Sequence, residues 1–325
     1  MHIDHLTTEV RWTLAALIGL LSVASLIVYA VTKRFPTRDH TELVQRVKTW
    51  WVIVVLFGGS LLLTRQAVLW FFGFVSFLAL KEFFSLIPSR RADRRALFWA
   101  YLSIPLQYYW IHLEWYGMFI IFIPVYLSLL ISARLVMIGE TDGFLRSVST
   151  IHWGAMITVF GLSHAAYLIG LFPIEEPRLA YAWPDSGAVQ SPGPGLLLML
   201  VLLTELNDIA QYIWGKSFGR SKVAPHVSPG KTWAGLLGGV ATTVVLAAFI
   251  GPWLTPMDLT RSVLAGLIVG VAGFFGDLSV SAIKRDLKVK DSGSILPGHG
   301  GILDRIDSLT FTAPLFFHYV RYCYF

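Results

Sequence analysis

The chain has 325 residues, of which 55% are hydrophobic and only 14% are charged. Soluble globular proteins carry about a quarter charged residues, so the composition excludes an ordinary soluble domain and predicts a protein that crosses a membrane several times. The formal net charge is +6, and the single cysteine, Cys323, excludes an internal disulfide and a cysteine metal site.

Apolar runs long enough to cross a bilayer occur along the whole chain. About 20 mostly apolar residues suffice for one helical crossing. The first run is interpreted as a retained helix rather than a signal peptide, since its apolar core is too long and the residues before it are not clearly basic. Because one run is short and the last is rich in aromatic residues, we expect an all-α polytopic membrane protein with nine or ten transmembrane helices. The ten candidate spans are 12–32, 50–63, 67–87, 97–113, 116–136, 151–172, 194–213, 232–254, 262–283 and 308–323.

Lysine and arginine concentrate in alternate loops between these spans. One set of loops holds most of them, including the group Arg90, Arg91, Arg94 and Arg95. The positive-inside rule places that set in the cytoplasm, with both termini outside if all ten spans are real. The group at 90–95 is most simply interpreted as a contact with anionic lipid headgroups.

Ionisable residues inside the predicted spans are costly and usually face a cavity or a partner. They are Lys81, Glu82, Glu205, Asp208 and Asp277, and all five fall in the predicted cytoplasmic halves of their helices. Lys81 and Glu82 are most simply interpreted as side chains that reach the interface or pair with neighbours. The other acids lead into basic, glycine-rich loops, so we expect several helices to converge on a polar funnel that faces the cytoplasm.

Two loops carry groups suited to phosphate. The first, WGKSFGRSKVAPHVSPGKTWAGLLGG at 214–239, is basic and opens a helix whose N-terminal amides favour an anion, although it lacks Walker A spacing. The second, SAIKRDLKVKDSGSILPGHGGILDRID at 281–307, adds carboxylates, which suit Mg²⁺ together with phosphate oxygens. Metal carboxylates beside phosphate-binding cations predict phosphoryl or nucleotidyl transfer at the membrane surface.

The second loop also matches a long family signature. It runs through Ser281-x-Ile283-Lys284-Arg285-x4-Lys290-Asp291-x-Gly293-x2-Leu296-Pro297-x-His299-Gly300-Gly301-Ile302-x-Asp304-Arg305-Ile306-Asp307. Position for position, this resembles the signature of phosphatidate cytidylyltransferases (CDP-diacylglycerol synthases). Upstream, Asn207-Asp208-x-Ala210 and Ser228-Pro229-x-Lys231-Thr232 resemble the same family in the same order. The resemblance covers about residues 200–310, so we divide the chain into N-terminal transmembrane helices (1–190) and a C-terminal catalytic transmembrane region (191–325).

The resemblance implies a reaction in which CTP and phosphatidic acid give CDP-diacylglycerol and pyrophosphate. It implies Mg²⁺ as cofactor, with a monovalent cation such as K⁺ assisting, and an active site on the cytoplasmic side, which we expect to be that of a bacterial inner membrane. CTP, phosphatidic acid and membrane lipid are the expected partners. No nucleic acid is expected, and a homodimer is left open.

Site roles follow from the same resemblance. The metal-binding aspartates of the family fall on Asp277 and Asp304, and Asp208 and Asp307 are expected to support them as further metal-site acids. We expect catalytic neutralisation of the phosphates by Lys284, Arg285, Lys290 and Arg305, and a nucleotide side lined by Ser228, Lys231 and Thr232. His299, Gly300 and Gly301 would shape the turn, and for His299 direct catalysis and simple positioning are both left open.

No strong general base is required, because the second pKa of a phosphomonoester is about 6 and the nucleophile is already largely dianionic at neutral pH. The chain departs from the family pattern at Ala234, where relatives commonly carry Glu, and at Gln211, where a small or aromatic residue is more usual. These departures predict a divergent branch, with a different lipid acceptor or a role beside a housekeeping enzyme.

Three alternatives stay open at this point. A CTP-dependent polyprenol or phytol kinase would need a base to activate its alcohol, and the 281–307 pattern argues against it. A transporter for an anionic metabolite would place charges near the midplane, whereas here they cluster toward one side. A protein that binds lipid or nucleotide without turnover is the third.

Overall fold

The computed structural model describes residues 6–88, 90, 93–171, 191–293, 295 and 300–324. Within these ranges the chain forms helices and no β-strand, and an isolated antiparallel bridge joins Lys222 to Thr232. The predicted all-α fold is therefore confirmed. In chain order the helices are α1 (Thr8–Arg34), α2 (Thr41–Leu63), α3 (Arg65–Leu86), α4 (Arg94–His112), α5 (Tyr116–Val136), α6 (Phe144–Gly170), α7 (Gly193–Phe218), α8 (Trp233–Leu254), α9 (Leu259–Asp286), α10 (Leu303–Ile306) and α11 (Leu309–Tyr324).

Eight of these described helices, all except α4, α10 and α11, are long and apolar enough to cross a bilayer, and the chain is an integral membrane protein. The two other predicted spans are also helical. However, α11 has only 16 residues, fewer than the roughly 20 of a straight crossing, and α4 begins with two arginines and contains Pro105. The span predicted as short, 50–63, belongs to a 23-residue helix, because the more polar stretch before it is helical as well.

Small residues bring α7, α8 and α9 close together, as is common between membrane helices. A Cβ on Gly266 of α9 would lie 2.6 Å from the Cβ of Ala247 of α8. The buried amide of Asn207, on α7, joins all three helices: it donates to the carbonyl oxygen of Gly270 (3.3 Å) and accepts from the hydroxyl of Thr243 (3.0 Å). The polar ends of the three helices therefore lie side by side.

Helices from both parts of the chain share one apolar core. Phe119 of α5 and Phe317 of α11 both pack against Tyr167 of α6, with ring centroids 4.7 and 5.2 Å away. Gly161 of α6 faces the backbone of Thr310, where a Cβ would lie 2.7 Å from the carbonyl oxygen. The predicted division near residue 190 lies outside the described residues and stays a prediction.

Candidate active site

A cavity of about 820 Å³ opens where the C-terminal end of α7, the N-terminal end of α8 and the C-terminal end of α9 meet. We call it the polar cavity. Charges of both signs line it, because the two loops singled out in the sequence fold against each other here. The acids are Glu205, Asp208, Asp277, Asp291, Asp304 and Asp307, and the bases are Arg46, Lys216, Lys222, Lys231, Lys284 and Arg305.

The loop that precedes α8 folds back on itself beside the cavity. The amide of Val223 donates to the carbonyl oxygen of Lys231 (3.1 Å), and the amide of Lys231 donates to that of Ser228 (3.2 Å). Thr232 caps α8 by accepting from the amide of Gly235 (3.1 Å). Ser228, Lys231 and Thr232, predicted for the nucleotide side, all line the cavity.

Asp277 lies on α9 and faces the loop just described. Its Oδ2 is 2.6 Å from Nζ of Lys231, and its Oδ1 accepts from the hydroxyl of Ser281 (3.1 Å). Lys231 also donates to Oε1 of Gln211 (3.0 Å). The lysine that neutralises Asp277 is therefore held by α7 as well as α9.

Asp304 is held on three sides. Its Oδ1 is 2.6 Å from Nζ of Lys284, and its Oδ2 accepts from the amides of Ser292 (2.9 Å) and Gly301 (3.2 Å). Burial alone would raise the pKa of this carboxyl, but the hydrogen bonds from Lys284 and Ser292 outweigh burial and lower it. Asp304 is thus a carboxylate at neutral pH.

Two further acids crowd the floor of the cavity. Ser308 donates its hydroxyl to Oδ2 of Asp208 (2.8 Å) and its amide to Oδ1 of Asp307 (2.7 Å). Burial, together with the neighbouring Asp277 and Asp208, raises the pKa of Asp307 well above its usual value. Oδ1 of Asp208 is buried and has no hydrogen-bond partner among the described residues. Crowded carboxylates with an unused oxygen favour a cation.

The carboxylate set fits Mg²⁺ in one respect and not in another. Within the described part of the chain, no group of three or more His, Cys, Asp or Glu side chains is placed to hold a metal by itself. Mg²⁺, however, is usually bound by one or two carboxylates, several waters and substrate phosphates. The residues present therefore fit a cation that arrives with a phosphate ligand.

Several predicted site residues lie away from the cavity wall. Arg285 donates instead to the carbonyl oxygens of Val227 (3.2 Å) and Val289 (3.3 Å). Lys290 is exposed and is not part of the lining. Gly300, with a φ of +81°, and Gly301 lie behind Asp304 rather than on the cavity surface. His299 lies outside the described residues.

The sequence interpretation missed the role of Glu82. Its side chain is buried and accepts hydrogen bonds from the segment that carries Asp304: the amides of Ile302 (2.8 Å) and Leu303 (3.0 Å) and the hydroxyl of Ser292. Glu82 is conspicuous in the sequence as an ionisable residue in an apolar helix. The neighbouring Lys81 is equally conspicuous, yet its side chain is exposed. Arg46, which lines the cavity from α2, was not predicted as a site residue, since it lies in a loop between the predicted spans 12–32 and 50–63.

These features define a class: an integral membrane protein whose helix ends enclose a cavity suited to a polyphosphate and a cation. Comparison with known proteins is more specific. The model of the Cytidylyltransferase family matches residues 44–323, and the chain belongs to that family. It is therefore an enzyme of the kind that transfers cytidylyl groups.

Individual relatives support the same placement. The chain is 48% identical over 311 residues to the uncharacterized protein YnbB of Escherichia coli (strain K12), covering 96% of this chain and 98% of that protein. Phosphatidate cytidylyltransferases of Synechocystis sp. and Haemophilus influenzae are both 43% identical, over 143 and 129 residues. Those matches cover 42% and 38% of this chain and under half of each relative, 48% and 45%. These identities agree with the predicted family. A full-length match to YnbB and only partial matches to the phosphatidate cytidylyltransferases are consistent with the predicted divergent branch.

Proposed function

We propose that this chain transfers the cytidylyl group of CTP to phosphatidic acid, forming CDP-diacylglycerol and releasing pyrophosphate. The observation that carries the proposal is the polar cavity, which lies beside the ends of membrane-spanning helices and in which Asp277 and Asp304 are each paired with a lysine. The family match supports it, and so does the similarity of part of the chain to two phosphatidate cytidylyltransferases.

The reaction joins two polyanions. An oxygen of the phosphatidate phosphate attacks the α-phosphorus of CTP, a new P–O bond forms, and the bond to the β-phosphate oxygen breaks to release pyrophosphate. Because the attacking phosphate is already largely dianionic near neutral pH, its activation needs no strong base. The main task of the protein is to neutralise and align both phosphate groups.

The lining residues divide that task. Asp277 and Asp304 would hold Mg²⁺, with Asp208 and Asp307 as the neighbouring acids. The ion would supply charge neutralisation and orientation of the CTP phosphates. Lys231, Lys284 and Arg305 contribute fixed positive charge, and in a cavity partly withdrawn from solvent each interacts with phosphate more strongly than it would in water. K⁺ is proposed only as an accessory cation.

The membrane setting is also part of the proposal. The basic loops that form the cavity belong to the set that the positive-inside rule assigns to the cytoplasm. We therefore place the polar cavity at the cytoplasmic face of a bacterial inner membrane, where a lipid phosphate in the leaflet and CTP in solution reach it together.

One observation favours a second candidate. Asp307 lines the cavity beside Asp208, and Ser308 donates hydrogen bonds to both acids, so the cavity contains a carboxylate of the kind that accepts the proton of a lipid alcohol. That would suit a CTP-dependent lipid-alcohol kinase, which transfers the γ-phosphate instead. The two reactions differ in which phosphorus of CTP enters the lipid.

Radiolabelled CTP separates them. Purified protein in detergent is mixed with Mg²⁺ and either phosphatidic acid or a polyprenol, using α-³²P-CTP or γ-³²P-CTP. Transfer of the α label to phosphatidic acid, abolished by EDTA and by Asp304→Asn, is the expected result. Asp286→Asn is the matched control, since Asp286 ends α9, is exposed and does not line the cavity. Transfer of the γ label to the alcohol would establish the kinase instead.

A further inference from the structure

We propose that Glu82, on α3 in the N-terminal part of the chain, is a positioning residue that orients Asp304 for binding of the CTP–metal complex. It is not among the residues that line the polar cavity. The kinetic test of this inference rests on the proposed function, because it measures that reaction. The test by CTP binding is independent of the lipid reaction.

Glu82 is connected to Asp304 through shared neighbours. Ser292 donates its hydroxyl to Oε1 of Glu82 and its amide to Oδ2 of Asp304. The amide of Gly301 also donates to Asp304, while the amides of the next two residues, Ile302 and Leu303, donate to Glu82. The two carboxylates thus accept hydrogen bonds from three consecutive backbone amides, and Ser292 donates to both of them. A displacement of one carboxylate therefore moves the donors of the other.

The same carboxylate accounts for two glycines of the signature. A Cβ on Gly301 would overlap Oε1 and Cδ of Glu82 and also Oγ of Ser292, which donates to Glu82. A Cβ on Gly293 would lie 2.9 Å from Oε2 of Glu82. Neither glycine has the positive φ that Gly300 has. Glycine is therefore required at these two positions because Glu82, joined at position 301 by Ser292, fills the adjacent space, and not because of the backbone conformation. Residue 82 and the signature, more than 200 positions apart, constrain each other.

The hydrogen bonds made by residue 82 favour glutamate over glutamine or alanine. Three donors converge on the side chain, and an ionised carboxylate can accept all of them. Glutamine would keep an acceptor for Ser292 and Leu303 if its oxygen took the place of Oε1, but its amide nitrogen would then face the N–H of Ile302. A partial loss is expected for glutamine and a full loss for alanine. The adjacent Lys81 is exposed and provides a matched control on the same helix.

The first test compares the full-length protein in lipid nanodiscs with Glu82→Ala, Glu82→Gln and Lys81→Gln. Equilibrium binding of CTP in the presence of Mg²⁺ is measured, together with kcat, KM for CTP and the half-saturating Mg²⁺ concentration. We expect at least a tenfold weaker CTP affinity and a higher half-saturating Mg²⁺ for the alanine variant, with glutamine intermediate and Lys81→Gln within twofold of wild type. A folded alanine variant with unchanged affinity, KM and Mg²⁺ requirement would show that Glu82 serves stability alone.

A double-mutant cycle covers the case in which a single variant folds poorly. Gly301→Ala is made in the wild-type, Glu82→Gln and Glu82→Ala backgrounds, and the folded fraction of each is assayed for CTP binding. The alanine at 82 removes one of the two side chains that the new Cβ would overlap and leaves the other, Ser292, without the acceptor that holds its hydroxyl in place. The loss caused by Gly301→Ala is therefore expected to shrink at least fivefold in that background. Equal losses in all three backgrounds would overturn the proposed contact.

The outcomes distinguish the proposed reaction from the proposed role of Glu82. If the wild-type chain binds CTP with Mg²⁺ but forms no CDP-diacylglycerol, the proposed reaction fails, and the binding data still decide the role of Glu82. If it forms CDP-diacylglycerol and Glu82→Ala behaves like wild type, the positioning role fails alone. If it neither binds nor transfers CTP, both fail.

Discussion

Lys284 and Asp304 form an ion pair in the wall of the polar cavity, with Nζ of the lysine 2.6 Å from Oδ1 of the aspartate. Lys231 and Asp277 repeat the arrangement at the same separation. Both acids proposed to hold the metal thus carry a lysine counterion, and all four side chains are at least three-quarters withdrawn from solvent. Removing one partner of such a pair leaves an uncompensated charge, which is more costly than losing the whole pair.

Replacing either lysine is expected to weaken the handling of CTP. For Lys284→Met and Lys231→Met we expect kcat/KM for CTP to fall on the order of 10²-fold, the usual cost of removing one fixed group that stabilises transition-state charge. Lys288→Met is the matched control, because Lys288 is exposed and does not line the cavity. Steady-state kinetics in detergent measure the effect, and equal values for all three variants would argue against a phosphate role for the lysines.

Metal binding is expected to depend on nucleotide. No set of three or more acidic, histidine or cysteine ligands is assembled in the described part of the chain, and Mg²⁺ commonly completes its shell with substrate phosphates. Mn²⁺, followed by electron paramagnetic resonance, should therefore bind at least about tenfold more tightly with CTP than without it. Tight binding in the absence of nucleotide would contradict the proposed site.

Gln211 and Gly239 are expected to be coupled in stability. A Cβ on Gly239 would overlap the Gln211 side chain, and Gln211 in turn accepts a hydrogen bond from Lys231. Gly239→Ala should cost about 1–3 kcal/mol through overpacking, and Gln211→Ala should relieve most of that cost. Thermal unfolding of the single and double variants measures this coupling. Additive losses would show that the two residues do not share this space.

Acid should destabilise the pair formed by Arg90 and Asp93. Burial raises the pKa of Asp93, but hydrogen bonds from Arg90 and Ser147 outweigh burial, so the pKa lies below its unfolded value of 3.8. The pair therefore stabilises the fold above about pH 4 and loses that contribution as the pH falls further.

Thermal unfolding between pH 6 and 3 tests this prediction, with Asp93→Asn as the variant. The midpoint temperature of the wild-type protein should decrease as the pH drops below about 4. The Asp93→Asn variant should lack this part of the decrease. Identical pH profiles for the two proteins would contradict it.

The sequence predicted the helices well because long apolar runs have few alternatives in a membrane. Four of the six cavity acids were predicted as site residues, in part because Asp208 and Asp277 are conspicuous in such runs. Three of the six cavity bases were predicted as well: Lys231, Lys284 and Arg305. It could not separate Lys81 from Glu82, because the distinction depends on which face of α3 meets the segment before α10. It also placed Arg285 in the site, whereas the structure turns that guanidinium toward the carbonyl oxygens of Val227 and Val289. Contacts between residues far apart in the chain decide both cases.

The measurement that tests the central claim most directly follows oxygen atoms through the reaction. The wild-type protein is incubated with CTP, Mg²⁺ and phosphatidic acid whose phosphate carries ¹⁸O, and the lipid and pyrophosphate are analysed by mass spectrometry. We predict a lipid that gains one cytidylyl unit and keeps all of its ¹⁸O, together with an equal amount of unlabelled pyrophosphate. A lipid that gains only a phosphate, or ¹⁸O that appears in pyrophosphate, would contradict cytidylyl transfer by this cavity.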